Sequence, residues 1–538
     1  MPILNWIGKE QVVNHDKEVP FRLLKLNKKL SVKDGSQNLL IHGDNLEALK
    51  ALMPFYYNQV KCIYIDPPYN IGSEKWVYND KVNSPKIKQW LGKVVARDDL
   101  CKHDKWLCMM YPRLKLLKDL LKDDGVIFVS IDYNELCNLR AILDDIFGDN
   151  NYVETIIWRK KEGGGQQDDF FVTEHEYIVA YAKNKTAFSL IDKKVLINRE
   201  GFNFFDNKKK NMRCKRVKLA KWGSGALRED RPTMYFPIKA PDGKDCYPVA
   251  PDGRPGRWRY GKARLKELIE EKSIHWEKKG KHWIPYELEY EPKDESMQIL
   301  KERSIFYDVA TTADGTNELT ELFGIKDIFP HPKPSDLIAE LILLTASKDD
   351  IIVDSFAGSG TTGHAVLSTN RIDKGKRKFI LVQLDEELSK PIKLKNGRVL
   401  NSVIDIAQER VKRAIEKERY EEGFQFCDLG KPLFDKDGQI DEECTFVDLA
   451  RYIYFTETKS NLDSKNINGN YLGEYGEIDY YLVFDGRNKN TLNRSFLKTI
   501  KKSSNKKVIY ADRCLIDDEI LEKQNIIFKQ IPYEVKVY

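Results

Sequence analysis

The chain has 538 residues, 41% of them hydrophobic and 32% charged, and carries a net charge of +6. That length is more than one core needs and predicts two to four domains of an ordinary soluble protein, and the small net charge means any nucleic-acid surface must be local. No run is long enough to cross a bilayer, and the first residues show no apolar leader. Nine cysteines without a Cys-x-x-Cys pair or a tight His/Cys cluster argue for reduced thiols and against a zinc site, so a cytoplasmic protein with no metal is expected.

Residues 1–35 are polar and weakly patterned, which predicts an N-terminal arm. Leu39–Asp44 reads as a short strand, and Asn45–Leu52 as a helix capped by Asp44 or Asn45. Next comes the most informative stretch, Lys61–Asn70. Val60, Cys62, Ile63, Tyr64 and Ile65 form an apolar run of buried-strand type that stops at Asp66-Pro67-Pro68-Tyr69. Neither proline can donate to a ladder, and each fixes φ, so the loop leaving the strand is stiff. A carboxylate and an aromatic ring are thereby held at the carboxyl end of a buried strand, where open α/β sheets bind ligands. The Asp66 carboxylate and the Pro67 carbonyl can accept both N–H groups of an exocyclic amine, and Tyr69 can stack on a flat base. An amine held this way leaves conjugation and becomes nucleophilic without a metal. Trp76 and Tyr78 follow in a long polar stretch, where they line a substrate path or simply pack.

From Asp104 the pattern is regular: an amphipathic helix ending at Gly125, a strand over Gly125–Asp132, a helix over Asn134–Phe147, and strands over Tyr152–Trp158 and Glu176–Tyr181. Alternating buried strands and helices predict a parallel, doubly wound α/β sheet. The alternation lapses over 185–305. There Asn207–Lys221 holds eight basic residues and no acidic one, among them Lys208, Lys209, Lys210, Arg213, Lys215 and Arg216, with Trp222, Arg257, Trp258 and Arg259 further on. Such a run is a solvated face or a nucleic-acid surface; the interleaved Trp and Arg favour the second.

The α/β pattern resumes with a helix over Ser335–Ala346 capped by Ser335, then a strand into Phe356-Ala357-Gly358-Ser359-Gly360 and a helix from Thr361. Gly358 and Gly360 permit a sharp turn and close approach of a ligand. The turn lacks a P-loop lysine and a clean GxGxxG, which favours a cofactor without pyrophosphate. Phe379–Leu384 is a strand and Ser402–Glu418 a helix. Residues 426–538 have strands of their own and read as an interaction or dimerisation domain. Setting Gly438 at the required glycine of a calcium loop puts Leu433 first and Cys444 last, which rules that loop out.

The DPPY stretch Asp66–Tyr69 and the FAGSG stretch Phe356–Gly360 together resemble the amino-group DNA methyltransferases. Their order, with an insert between, resembles the β class. HGDNLEAL (His42–Leu49) and HPKP (His331–Pro334) resemble, more narrowly, the modification subunit of type III restriction–modification systems. The resemblance spans about residues 40–420. It implies a seven-stranded, mostly parallel methyltransferase sheet of permuted motif order: 36–184 as the catalytic half, 185–305 as the recognition insert and 306–425 as the cofactor half. It implies adenine-N6 transfer, with cytosine-N4 transfer and a non-catalytic DNA-binding scaffold as alternatives. Asp66, Pro67, Pro68 and Tyr69 would hold a flipped-out adenine. Asp44, Asp66, Lys333, Asp354, Phe356, Gly358, Gly360 and Thr361 would surround S-adenosylmethionine, with Gln383 or Asp385 at its ribose. Double-stranded DNA, a second copy of the chain and a separate restriction subunit are the implied partners.

Overall fold

The structure is a computed structural model and describes residues 4–33, 35–70, 102–163, 170–196, 202, 204–206, 212–271, 273–280, 282–291, 297–434, 439–463, 465, 467–486, 490–501 and 503–531. Trp76, Tyr78, Lys208, Lys209 and Lys210 lie outside these residues. The chain divides into two compact units, Met1–Ile191 with Arg303–Tyr538, and Asp192–Glu302.

The first unit is built on a ten-stranded sheet. In chain order its strands are β1 (Arg22–Leu26), β2 (Leu39–His42), β3 (Val60–Ile65), β4 (Leu121–Ile131), β5 (Tyr152–Arg159), β6 (His175–Ala182), β7 (Ile305–Phe306), β8 (Ile351–Asp354), β9 (Lys378–Gln383) and β10 (Gln425–Pro432). Their spatial order is β1-β10-β2-β9-β8-β3-β4-β6-β5-β7. The run from β10 to β4 is parallel, whereas β6 is antiparallel to both β4 and β5. The seven-stranded expectation is thus too small, because β1, β10 and β7 extend the sheet at its edges. The described part of the expected N-terminal arm, residues 4–33 and 35, is not free: β1 pairs antiparallel with β10, and Trp6, Val12 and Val19 are buried in the core.

Alternation along the central strands explains why their sequence is apolar throughout. Ile63, Ile65, Val353 and Ile380 face one core, shared with helices α1 (Asn45–Tyr56), α2 (Lys102–Leu120) and α3 (Leu136–Phe147). Cys62, Tyr64, Ile352 and Phe379 face the other, shared with α5 (Ser335–Thr345), α6 (Thr361–Asp373) and α7 (Val403–Glu418), α4 being Thr312–Phe323. A strand with both faces covered has no polar face to display. Each fully buried aliphatic side chain here contributes roughly 1.5–3 kcal/mol.

Two local expectations need correction. The helix predicted to end at Gly125 stops at Leu120, and β4 has begun by Leu121. Gly125 is not a left-handed cap; a Cβ there would lie 2.9 Å from the carbonyls of Val60 and Lys122, so close strand packing requires glycine. Ser335 does not cap α5. Pro334 holds the cap position, and the Ser335 N–H donates instead to Glu318 on α4 at 3.1 Å.

The expected boundary at 426 falls inside β10. Beyond it, α8 (Phe446–Thr458) and a four-stranded sheet of Tyr471–Tyr475, Ile478–Leu482, Lys506–Ala511 and Ile526–Gln530 share a core with Phe21 and Leu23 from the start of the chain. The second unit, Asp192–Glu302, is less irregular than its sequence suggests. Phe204–Asp206, Met212–Lys218, Ile274–Lys279 and His282–Tyr290 make an antiparallel sheet, and helix Lys262–Glu270 shares a core with Trp258. The charges of MRCKRVK hide its period, since Cys214 alone of that strand is fully covered.

Candidate active site

β3 and β8 are neighbours, with Ile63 opposite Val353, so the loops leaving their carboxyl ends face each other. Between them lies a cavity of about 630 Å³, lined by Tyr64, Asp66, Pro67 and Tyr69 from one side and by Asp354, Phe356, Gly358, Ser359 and Thr361 from the other. Lys160, Glu176, His331 and Lys333 are among the other residues that line it.

The first loop carries charge. The Lys333 ammonium donates to both Asp66 oxygens, at 2.9 and 2.8 Å, and to the Tyr69 hydroxyl at 2.9 Å. Its residue is held in place by Pro332 and Pro334 on either side and by His331, whose φ is 44°. The Tyr69 hydroxyl in turn donates to Asp66 at 2.7 Å and lies 3.2 Å from Glu176. Glu176 is 3.4 Å from Lys333 and 2.9 Å from Lys160. Burial opposes the charged form of Lys333, but the carboxylates of Asp66 and Glu176 outweigh it and hold the ammonium well above its ordinary value. Burial likewise opposes ionisation of Glu176, and Lys333 and Lys160 reverse that, so its carboxyl sits below its ordinary value. Burial pushes the Tyr69 phenol well up, reinforced by Asp66 and Glu176, so it stays a neutral donor. The Pro68 carbonyl accepts from the indole of buried Trp106 at 2.7 Å, which fixes the loop from behind.

The second loop is held by hydrogen bonds to side chains around it. Asp354 accepts from Phe356 N at 3.0 Å and from the Thr362 hydroxyl at 2.5 Å. Burial pushes its carboxyl up to about 7, partly offset by those bonds. Gly358 and Gly360 have φ of 53° and 81°, the left-handed region where a side chain is strained. Gly360 caps α6, whose first N–H groups open beside the cavity. The Gln383 side chain accepts from Gly358 N at 2.7 Å. Fully buried Arg410 of α7 donates to the hydroxyls of Ser359 at 2.8 Å and Thr361 at 2.5 Å.

The structure therefore brings Asp66, Pro67, Tyr69, Lys333, Asp354, Phe356, Gly358 and Thr361 to one cavity. Pro68, Asp44, Gly360, Gln383 and Asp385 do not line it. Asp44 caps α1, accepting from Leu46 N at 2.9 Å, and pairs with Arg113 at 3.3 Å. Asp385 lies past the end of β9, 3.9 Å from His42. Tyr69 is buried, with Lys333 5.0 Å from its ring centre. In the second unit, Lys215 and Arg216 pair with Glu289 at 2.6 Å and Glu277 at 3.2 Å. The Arg257 guanidinium caps the Gly225 carbonyl, Arg213 and Arg259 are exposed, and Trp258 is core rather than surface. Sequence reading missed Glu176 and Lys160. Glu176 opens an otherwise apolar strand, a placement that marks a buried charge, and only the antiparallel entry of β6 brings it to the ligand edge.

A doubly wound sheet with a DPPY loop and a glycine turn facing one cavity defines a methyltransferase-like architecture. The family model described as "DNA methylase" matches residues 60–394, and the chain belongs to that family. It is 34% identical to the Mod subunit of the type III restriction-modification enzyme EcoPI of Escherichia phage P1, over 77% of this chain and 68% of the relative. It is 32% identical to the EcoP15I Mod subunit of Escherichia coli, over 81% and 72% of the two chains. With the StyLTI Mod subunit of Salmonella typhimurium the identity is 31%, over 74% of this chain and 60% of the relative.

Proposed function

We propose that this chain methylates the N6 amino group of adenine in duplex DNA, using S-adenosylmethionine, as the modification subunit of a type III restriction–modification system. The observation that carries this reading is the Asp66 loop facing the glycine turn across one cavity of about 630 Å³. The residues fit the cofactor. Gly358 brings backbone close, Phe356 offers an apolar face, and the start of α6 with the Ser359 hydroxyl offers donors to a carboxylate. When bound, the cofactor supplies an electrophilic methyl group.

The protein's part is to capture and hold the amine. An amino group paired within a duplex is out of reach, so the base is extruded into the cavity. Asp66 and the Pro67 carbonyl accept its N–H groups, draw its lone pair out of the ring and aim it; positioning then supplies much of the rate. Asp66 also stands ready to take the proton released. Arg213, Lys215, Arg216 and Arg259 of the insert, with the lysines of 208–210, hold phosphates. Residues 426–538 join two copies in a dimer, cleavage resides on a separate restriction subunit, and the protein acts in the cytoplasm. No helix among the described residues is long and apolar enough to cross a membrane. The test is to incubate the protein with DNA and labelled cofactor and analyse the nucleosides. N6-methyladenine in the wild type and none with Asp66→Ala, at unchanged DNA affinity, is expected. N4-methylcytosine, or full activity in the variant, defeats the assignment.

A further inference from the structure

Methyl transfer as just outlined leaves one conflict in the cavity. The acceptor that must receive the target amine is already heavily used: Lys333 bonds both oxygens of Asp66 and Tyr69 donates to one of them, three of a carboxylate's roughly four acceptor positions. An amine that takes the remaining position on Asp66 Oδ2 shares that oxygen with the ammonium and competes with it. The Lys333 side chain is 10% exposed, so an ammonium loosened from Asp66 has little water to turn to. An ammonium displaced within a buried site and left unpaired is strongly disfavoured.

Glu176 is the group that resolves this conflict. Its Oε2 already lies 3.4 Å from Lys333 and 3.2 Å from the Tyr69 hydroxyl, so a small side-chain movement exchanges one carboxylate partner for the other. Its second oxygen is held by Lys160 at 2.9 Å, which keeps Glu176 ionised and fixed. The other titratable groups facing Lys333 are Tyr64 on β3, Asp354 at the end of β8 and His331 on its own loop. Asp354 is drawn to its own loop, and Tyr64 bonds Ser130 at 2.8 Å. We propose that Glu176 is a positioning residue for base capture: it takes over the Lys333 ammonium, and the Tyr69 hydroxyl with it, when the target amine claims Asp66. The proposal rests on the methyl-transfer reading. It assigns Glu176 no contact with the reacting atoms; Glu176 acts through Lys333.

That dependence supplies the test, a double-mutant cycle of Glu176→Gln and Lys333→Met. The readouts are extrusion of a 2-aminopurine placed at the target base and the single-turnover rate of methyl transfer. In the wild-type background Glu176→Gln should reduce extrusion and transfer on the order of tenfold at unchanged DNA affinity. In the Lys333→Met background, where no ammonium needs a second partner, the same substitution should change extrusion less than twofold. Glu176→Asp should restore part of the loss, and it replaces Glu176→Gln if melting shows that variant unfolded. An equal effect in both backgrounds, as a merely structural role gives, overturns the proposal, as does no effect in either. A wild-type protein that neither extrudes the base nor transfers a methyl group defeats the methyl-transfer reading instead.

Discussion

Asp66 and Asp354 end two adjacent parallel strands, yet they have opposite chemistry. Asp66 turns outward into a cluster of formal charges, with Lys333 on both oxygens. Asp354 turns inward to the first residues of its own loop, and burial pushes it to about 7. Strand position alone does not set the role of a terminal aspartate; the loop attached to it does. Two prolines carry the chain away from Asp66 and leave its carboxylate to side chains. A turn with two left-handed glycines follows Asp354 and gives it the Phe356 N–H and the Thr362 hydroxyl instead. One loop is thereby equipped to handle a proton and an amine, the other to present backbone to a ligand.

Substitution at each side measures this contrast. The largest effect should come from Asp66→Asn, which keeps the size of the side chain but removes the charge that pairs with Lys333. Single-turnover methyl transfer should fall at least about a thousandfold; Asp354→Asn in the same assay should lose far less, and equal losses would erase the distinction. Gly360→Ala should act on stability. Its φ of 81° and a Cβ only 3.1 Å from the Ala407 carbonyl predict a cost of about 1–3 kcal/mol by denaturant titration. Gln383→Ala releases the Gly358 N–H and should weaken cofactor binding about tenfold by calorimetry while leaving DNA affinity alone.

The subtlest effect concerns pH. The Asp354 carboxyl is raised from 3.8 to about 7 in the folded state, so its contribution is fully present below its unfolded value and is lost as pH rises through about 7. Between pH 5 and 8 the wild type should therefore lose stability relative to Asp354→Asn, by at most about 1.4 kcal/mol per pH unit. Parallel stability curves for the two proteins would mean that Asp354 is ionised throughout.

Much of this arrangement was legible in the sequence, because its causes are local. A strand stopped by two prolines, a glycine pair before a helix and an apolar run with no polar face each state their geometry within ten residues. What was not legible depends on which strands become neighbours. Glu176 reaches the cavity because β6 runs against β4, and no period within His175–Ala182 says so. The edge strands escaped for a related reason: β1 is a half-exposed pattern whose partner, β10, lies some four hundred residues on. Gly125 looked like a helix stop because the carbonyl it must clear, that of Val60, belongs to another strand. Trp258 looked like a surface aromatic among arginines, but its indole bonds Phe236 O at 2.8 Å in the core of the second unit.

The sheet order also governs how the chain is made. β2 has β10 and β9 as its neighbours, and β3 has β8 on one side, so during synthesis β2 finds its whole ladder, and β3 half of its own, only after residue 350. Throughout that interval their unpaired edges are sticky to other nascent chains, and so high a separation between partners slows closure. Biosynthesis of this protein is thus most exposed to misassembly between the emergence of residues 39–65 and that of β8.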